Sequence, residues 1–88
     1  MSHAVSLSSK AARQFRKLDR RAQVRIAAVI DLLAANPRPP AAKALTGQSR
    51  NAYRVRVGDF RVVYEVQDQR LLVLVVRIGH RRDVYRGP

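Results

Sequence analysis

Residues 52–66 read Ala52-Tyr53-Arg54-Val55-Arg56-Val57-Gly58-Asp59-Phe60-Arg61-Val62-Val63-Tyr64-Glu65-Val66. Two strand-prone runs separated by Gly-Asp form the pattern of a β-hairpin closed by a two-residue turn. Successive side chains in a strand alternate between faces, so Tyr53, Val55 and Val57 point one way and Arg54 and Arg56 the other. One face is core and the other is cationic. A two-residue turn pairs Val57 with Phe60 and sets Arg56 directly across from Arg61 on the cationic face. Like charges facing each other across a ladder are destabilising, and sequences break local rules of this kind at functional sites. A solvated sheet face is the plainer alternative. It is weakened by Arg77, which joins the same face if the loop before its strand carries an odd number of residues.

A third strand-like run, Leu71 to Ile78, follows Gln67-Asp68-Gln69-Arg70. Connections this short make an antiparallel meander. Leu71-Leu72-Val73-Leu74-Val75-Val76 shows no polar alternation, which predicts a central strand covered on both faces. Upstream, residues 3–7 alternate as a short strand, and this first strand is expected to pair beside the central one. Ser8 or Ser9 then caps a helix whose apolar positions are Ala11, Ala12, Phe15 and Leu18. Asp19 ends it and caps a second helix with the stripe Ala22, Ile26, Val29, Ile30 and Leu33. Asn36-Pro37 stops that helix, since a residue before proline avoids the helical region. Residues 37–51 hold three prolines, Gly47 and Asn51, and read as a connecting loop. The expectation is an α+β fold of order β-α-α-β-β-β, a helical hairpin packed on a mostly antiparallel four-stranded sheet, in one domain spanning residues 1–88.

With 88 residues, the chain is near the lower size for a core unaided by disulfides or metals. It has no cysteine, which excludes a disulfide framework and thiolate sites and fits a reducing compartment, so the cytoplasm is the expected location. No signal-peptide pattern or membrane-length apolar run is found. Eighteen Lys and Arg against six Asp and Glu give a net charge of +12, which attracts polyanions. Fifteen of the eighteen are arginine, whose planar fork holds a phosphate through two hydrogen bonds. A GC-rich genome inflates Arg and Ala together, but it does not explain the scarcity of acids.

The tail Gly79-His80-Arg81-Arg82-Asp83-Val84-Tyr85-Arg86 brings an imidazole, guanidinium groups and a phenol within six residues. A lone histidine is more often an incidental surface group. Beside arginines, His80 becomes a candidate proton carrier, because an imidazole exchanges protons near neutrality. Tyr85 either stacks on a base or closes the core.

Tyr53 to Val66, followed by Ile78-Gly79-His80-Arg81-Arg82-Asp83-Val84-Tyr85 and preceded by Lys43-Ala44-Leu45-Thr46-Gly47, resembles the RelE/ParE toxin superfamily, and more closely its RelE branch. The likeness covers essentially the whole chain and includes the strand-helix-helix order. What it implies is a type II toxin that cleaves mRNA on the ribosome without metal or cofactor, by attack of a ribose 2′-hydroxyl on the adjacent phosphate. Arg61 and Arg81 match positions that hold the scissile phosphate and assist the leaving group, and Tyr85 matches a substrate-orienting tyrosine. Arg54 and Arg56 stand where the family often has lysine. Arginine stays protonated, so these two become electrostatic groups and His80 is the first choice for proton transfer, with Tyr85 second. The catalytic set is thus Arg56, Arg61, His80, Arg81 and Tyr85, with Lys43, Arg54, Arg77 and Arg82 as RNA-binding cations. The implied partners are an acidic antitoxin, the 70S ribosome and mRNA, with no membrane, and the antitoxin complex is expected to bind its own operator DNA. The alternatives are a ParE-type gyrase inhibitor sharing the fold and a non-catalytic RNA-binding module.

Overall fold

The computed structural model describes residues 2–45 and 51–80. Strand β1 (Ala4–Leu7) leads into helices α1 (Ser9–Arg16) and α2 (Arg20–Ala35), and strands β2 (Lys43–Ala44), β3 (Ala52–Val57), β4 (Phe60–Gln67) and β5 (Leu72–His80) follow. A single turn of 3₁₀ helix, Asp68–Arg70, joins β4 to β5. The sheet order is β1-β5-β4-β3-β2, with β1 parallel to β5 and every other pair antiparallel. The sheet therefore has five strands where four were expected. The extra one, β2, is a two-residue edge pairing Lys43 with Arg54 and Ala44 with Tyr53. Two residues in a proline-rich stretch display no period, so pattern alone reads them as loop.

Both helices start as their caps dictate. Ser8 Oγ accepts from the Ala11 amide at 3.1 Å, and a carboxylate oxygen of Asp19 accepts from the Ala22 amide at 2.8 Å. Each such cap stabilises by about 1 kcal/mol. α2 ends at Ala35, with Asn36 in extended conformation before Pro37. Ala11, Ile26, Ile30 and Leu33 meet Val55, Val57, Val62, Tyr64, Val66, Val73, Val75 and Ile78, so the helices cover one sheet face and the core lies between. Tyr64 is the largest fully buried side chain; its hydroxyl donates to the Pro37 carbonyl at 2.7 Å, and burial pushes its phenol pKa up to about 12.

β5 is interior, between β1 and β4, and its second face is half-buried. Its register against β4 slips once: Tyr64 faces Val75 whereas Val63 faces Arg77, leaving Val76 as the extra residue of a bulge. The bulge inverts the alternation, so Ile78 enters the core and Arg77 goes to the face away from the helices. The freed backbone groups are satisfied by α1 and its cap. Ser8 N and Oγ donate to the carbonyls of Val75 (2.8 Å) and Val76 (3.1 Å), and Gln14 Oε1 accepts from the Ile78 amide at 2.8 Å.

At the end of the sheet away from the Gly58–Asp59 turn, four segments meet. Arg38 donates to both Asp68 carboxylate oxygens at 3.2 and 2.8 Å and to the Tyr53 hydroxyl at 2.8 Å, and its guanidinium carbon lies 5.5 Å from the Tyr53 ring centre. Tyr53 stacks on Tyr64, and His3 Nε2 approaches Asp68 at 3.5 Å. The bonds from Arg38 hold the Asp68 carboxyl below the usual carboxylate range, and the Arg38 pKa is raised in turn. A carboxyl with a lowered folded-state pKa adds stability above its unfolded pKa and loses it as pH falls through the folded value. Asp68→Asn should therefore melt below the wild type at pH 7, and the gap should close as the pH drops below about 4. Thermal melts of both proteins from neutral to acidic pH check this, and a gap independent of pH would assign the network no ionic role.

Candidate RNA-cleavage face

The sheet face opposite the helices carries the arginines in two rows. Strand pairing sets Lys43, Arg54, Val63 and Arg77 in one row and Arg56, Arg61 and Gly79 in the next. The expected opposition of Arg56 and Arg61 is present, fixed by the Val57–Phe60 pair at the hairpin end. Gly58 sits at φ +60°, and no other turn residue has positive φ, which is the arrangement of a type II′ turn with glycine at its first position. The positive φ favours glycine at 58, and a Cβ there would lie 3.0 Å from the Arg25 guanidinium, which would have to shift slightly.

Exposure differs along the rows. Lys43 and Arg56 are exposed, Arg54 and Arg77 are half-buried, and Arg61 is buried at 4% exposure, the one charged residue so buried among those described. Arginine cannot shed its proton, so burying it beside a second arginine costs desolvation and repulsion, a local cost of the kind that functional sites carry. Ala41, Lys43, Arg54 and Arg56 line a shallow groove at the β2 edge, continuous with the rows. Gly79 adds no side chain beside Arg61. Among the described strand residues, the acid on this face is Glu65, one row beyond Val63.

His80 is placed differently. Its register partner is Phe60, on the helix-facing side, and the two rings meet edge to face with centres 5.5 Å apart. The sheet thus brings Lys43, Arg54, Arg56, Arg61 and Arg77 together and sets His80 on the other side. Arg81, Arg82 and Tyr85 lie outside the described residues. The Arg38–Tyr53–Asp68–His3 network had no counterpart in the sequence reading. Its members are 15 and 30 residues apart along the chain, and no local motif marks them. It ties the segment leading to β2 onto β3 and β4, and so helps fix where Lys43 enters the first row.

Residues 5–85 match the family model described as the ParE toxin of the type II toxin-antitoxin system parDE. A curated RelE-like toxin protein of Escherichia coli is 32% identical over 87 residues, covering 97% of this chain and 92% of that protein. Toxin RelG of Mycobacterium tuberculosis is 29% identical over 89 residues, covering 98% and 99%. The toxin-antitoxin complex RelBE2 of M. tuberculosis contains a chain that superposes with a TM-score of 0.81 at 22% identity, covering 91% of this chain and 99% of that one. The intact E. coli RelBE complex gives 0.80 at 23%, covering 90% and 96%. These structures share the fold of two helices on a mixed sheet. The family model spans nearly the whole chain and the first relative is 32% identical over 92% of its length, so this protein belongs to the RelE/ParE superfamily as a toxin of the type II toxin–antitoxin class.

Proposed function

We propose that the protein is a ribosome-dependent endoribonuclease that inhibits translation in the cytoplasm by cutting mRNA. The supporting observation is the opposition of Arg56 to the buried Arg61 on the sheet face that the helices leave uncovered. In the proposed reaction a ribose 2′-oxygen bonds to the adjacent phosphorus while its proton passes to a base. The P–O5′ bond breaks, and the 5′-oxygen takes up a proton, leaving a 2′,3′-cyclic phosphate and a 5′-hydroxyl. The transition state carries extra negative charge on the phosphoryl oxygens, which fixed guanidinium groups stabilise without reorganising. Arg61 and Arg81 hold the scissile phosphate and the leaving oxygen, Arg54 and Arg56 supply field, and Lys43, Arg77 and Arg82 hold flanking phosphates. Tyr85 orients the nucleotide. The ribosome supplies the in-line geometry of the message.

An acidic antitoxin is the proposed partner that shields Arg54, Arg56 and Arg61, and their complex the form that binds operator DNA. The solved relatives include toxins held by their antitoxins, in RelBE2 and RelBE. The second reading is gyrase inhibition, favoured by the ParE description of the matching family model. It gives no use to a buried arginine facing another. Mapping the 5′ ends of mRNA incubated with the protein, with and without ribosomes, decides between them. Cuts confined to ribosome-bound message are expected. Intact message together with blocked gyrase supercoiling would establish the other reading.

A further inference from the structure

The two edges of the sheet differ. At β2 the edge carries Lys43 beside Arg54 and follows Pro37, Pro39 and Pro40, the charges and prolines by which proteins keep a strand edge from pairing. At β1 such guards are missing: residues 2–9 hold no Lys, Arg, Asp or Glu, in a chain of net charge +12. β1 pairs with β5 on one side, and no described strand lies on the other. The amides of Ala4 and Ser8 donate to the carbonyls of Leu71 and Val75 at 2.7 and 2.8 Å, so by alternation those of Val5 and Leu7 point outward from the sheet. Val5 and Leu7 pack against the core and yet remain half-buried, while Ala4 and Ser6 are exposed.

Apolar groups gather at the start of this edge. Leu32 and Leu71, two of the three large apolar side chains exposed among the described residues, are 69% and 41% exposed. The Leu71 carbonyl accepts from the Ala4 amide, and Leu32 lies two residues before Ala34, whose carbonyl accepts from the His3 amide at 2.7 Å. Leu71 also has φ +50°, a left-handed conformation that strains a leucine and that glycine or asparagine adopts readily. A strained, exposed leucine is a local violation of the kind found at functional surfaces.

We propose that the β1 edge is a self-association surface, on which a second copy of this chain adds its own β1 antiparallel about a two-fold axis at Ser6. In that register Val5 faces Leu7 of the second copy on the helix side, and their outward amides and carbonyls exchange main-chain hydrogen bonds. On the open side Ser6 faces Ser6 of the second copy and Ala4 faces its Ser8, all small groups. Charge selects the occupant. An acidic partner is steered to the arginines, whereas this edge offers it no counter-charge and lets two molecules of like sign meet with little direct repulsion. Both open faces stay on one side of the joined sheet with their arginine rows uncovered, so pairing does not depend on whether those rows cleave RNA.

Sedimentation of the purified chain across the micromolar range should show a concentration-dependent dimer. The dimer should tighten as salt rises from about 0.1 to about 1 M, because the screening length of the like net charges falls from about 10 Å to about 3 Å. Association through opposite charges would weaken instead. Ser6→Lys sets like charges opposite each other at the axis and should weaken the dimer about tenfold, while the monomer keeps its circular dichroism. Leu71→Asn relieves the backbone, so it should raise the melting temperature of the monomer and yet weaken the dimer; a leucine with no role at the edge would leave the dimer unchanged. Because the chain has no cysteine, Ser6→Cys probes the register. Facing residues of a non-hydrogen-bonded pair have Cα atoms about 4.5 Å apart, within disulfide reach. Ser6→Cys should therefore cross-link on mild oxidation much faster than Val24→Cys on the exposed side of α2. A monomer at every concentration and salt, equal cross-linking of the two cysteines, or Val5 and Leu7 amides that slow in hydrogen exchange only in complex with an antitoxin would overturn the proposal.

Discussion

Arg61→Ala is expected to lower single-turnover cleavage on programmed ribosomes by about 10² or more, the usual consequence of deleting one fixed donor to a transition-state anion. Arg61 is the buried member of the facing pair, so its guanidinium is held by the fold rather than ordered on binding. Its contribution is then largest when charge develops on the phosphate and small in the ground state. Ribosome affinity should change by much less than the rate. Arg61→Lys keeps the charge and loses the two-pronged geometry, so it should fall between wild type and alanine. Removing the cation also relieves repulsion from Arg56, and a melting curve distinguishes lost catalysis from lost fold. Arg81→Ala should show a parallel loss. Wild-type rates from both alanine variants would remove the open sheet face from the chemistry.

Much of the fold was legible because its signals are local. Gly58-Asp59 announced the hairpin and therefore the Arg56–Arg61 opposition, since a two-residue turn leaves one register. Ser8, Asp19 and Asn36-Pro37 marked the helix ends where they occur. Arg77 was legible only conditionally. It reaches the cationic face through the Val76 bulge, and a bulge in a run of valines and leucines leaves no mark in the pattern, being held by Ser8 and Gln14 more than 60 residues away. The β2 edge was missed because pairing with β3, not its own residues, makes it a strand. The placement of His80 turns on the same bulge, since one extra residue moves every later side chain to the other face. Proximity of His80 to the arginines of the tail suggested a shared site, whereas the register of β5 turns the His80 ring toward Phe60 on the helix side.

Proton transfer is accordingly expected to depend on Tyr85 rather than on His80. The arginines of the open face cannot act as bases near neutrality, and the His80 ring lies on the helix side against Phe60. Tyr85→Ala should lose about 10² to 10⁴ in single-turnover rate, the range of general acid or base work. Tyr85→Phe keeps the ring and removes the hydroxyl. If the phenol moves a proton, Phe should be nearly as poor as Ala. If Tyr85 only stacks, a contact contributing about 1 to 3 kcal/mol, Phe should restore most of the rate. His80→Ala should fall by less than tenfold, through looser packing of Phe60 at the end of β4. The wild-type rate between about pH 5.5 and 8.5 should then show no inflection at the reference imidazole pKa of about 6.5, and should rise toward the alkaline end as a phenol of reference pKa about 10 begins to ionise. A loss of 10² or more in His80→Ala, with an imidazole inflection present in the wild type and absent from the variant, would return the proton to His80. That result would also require the end of β5 to turn its last side chain around the edge of the sheet when RNA binds, since the register of the free protein keeps that ring from the arginine rows.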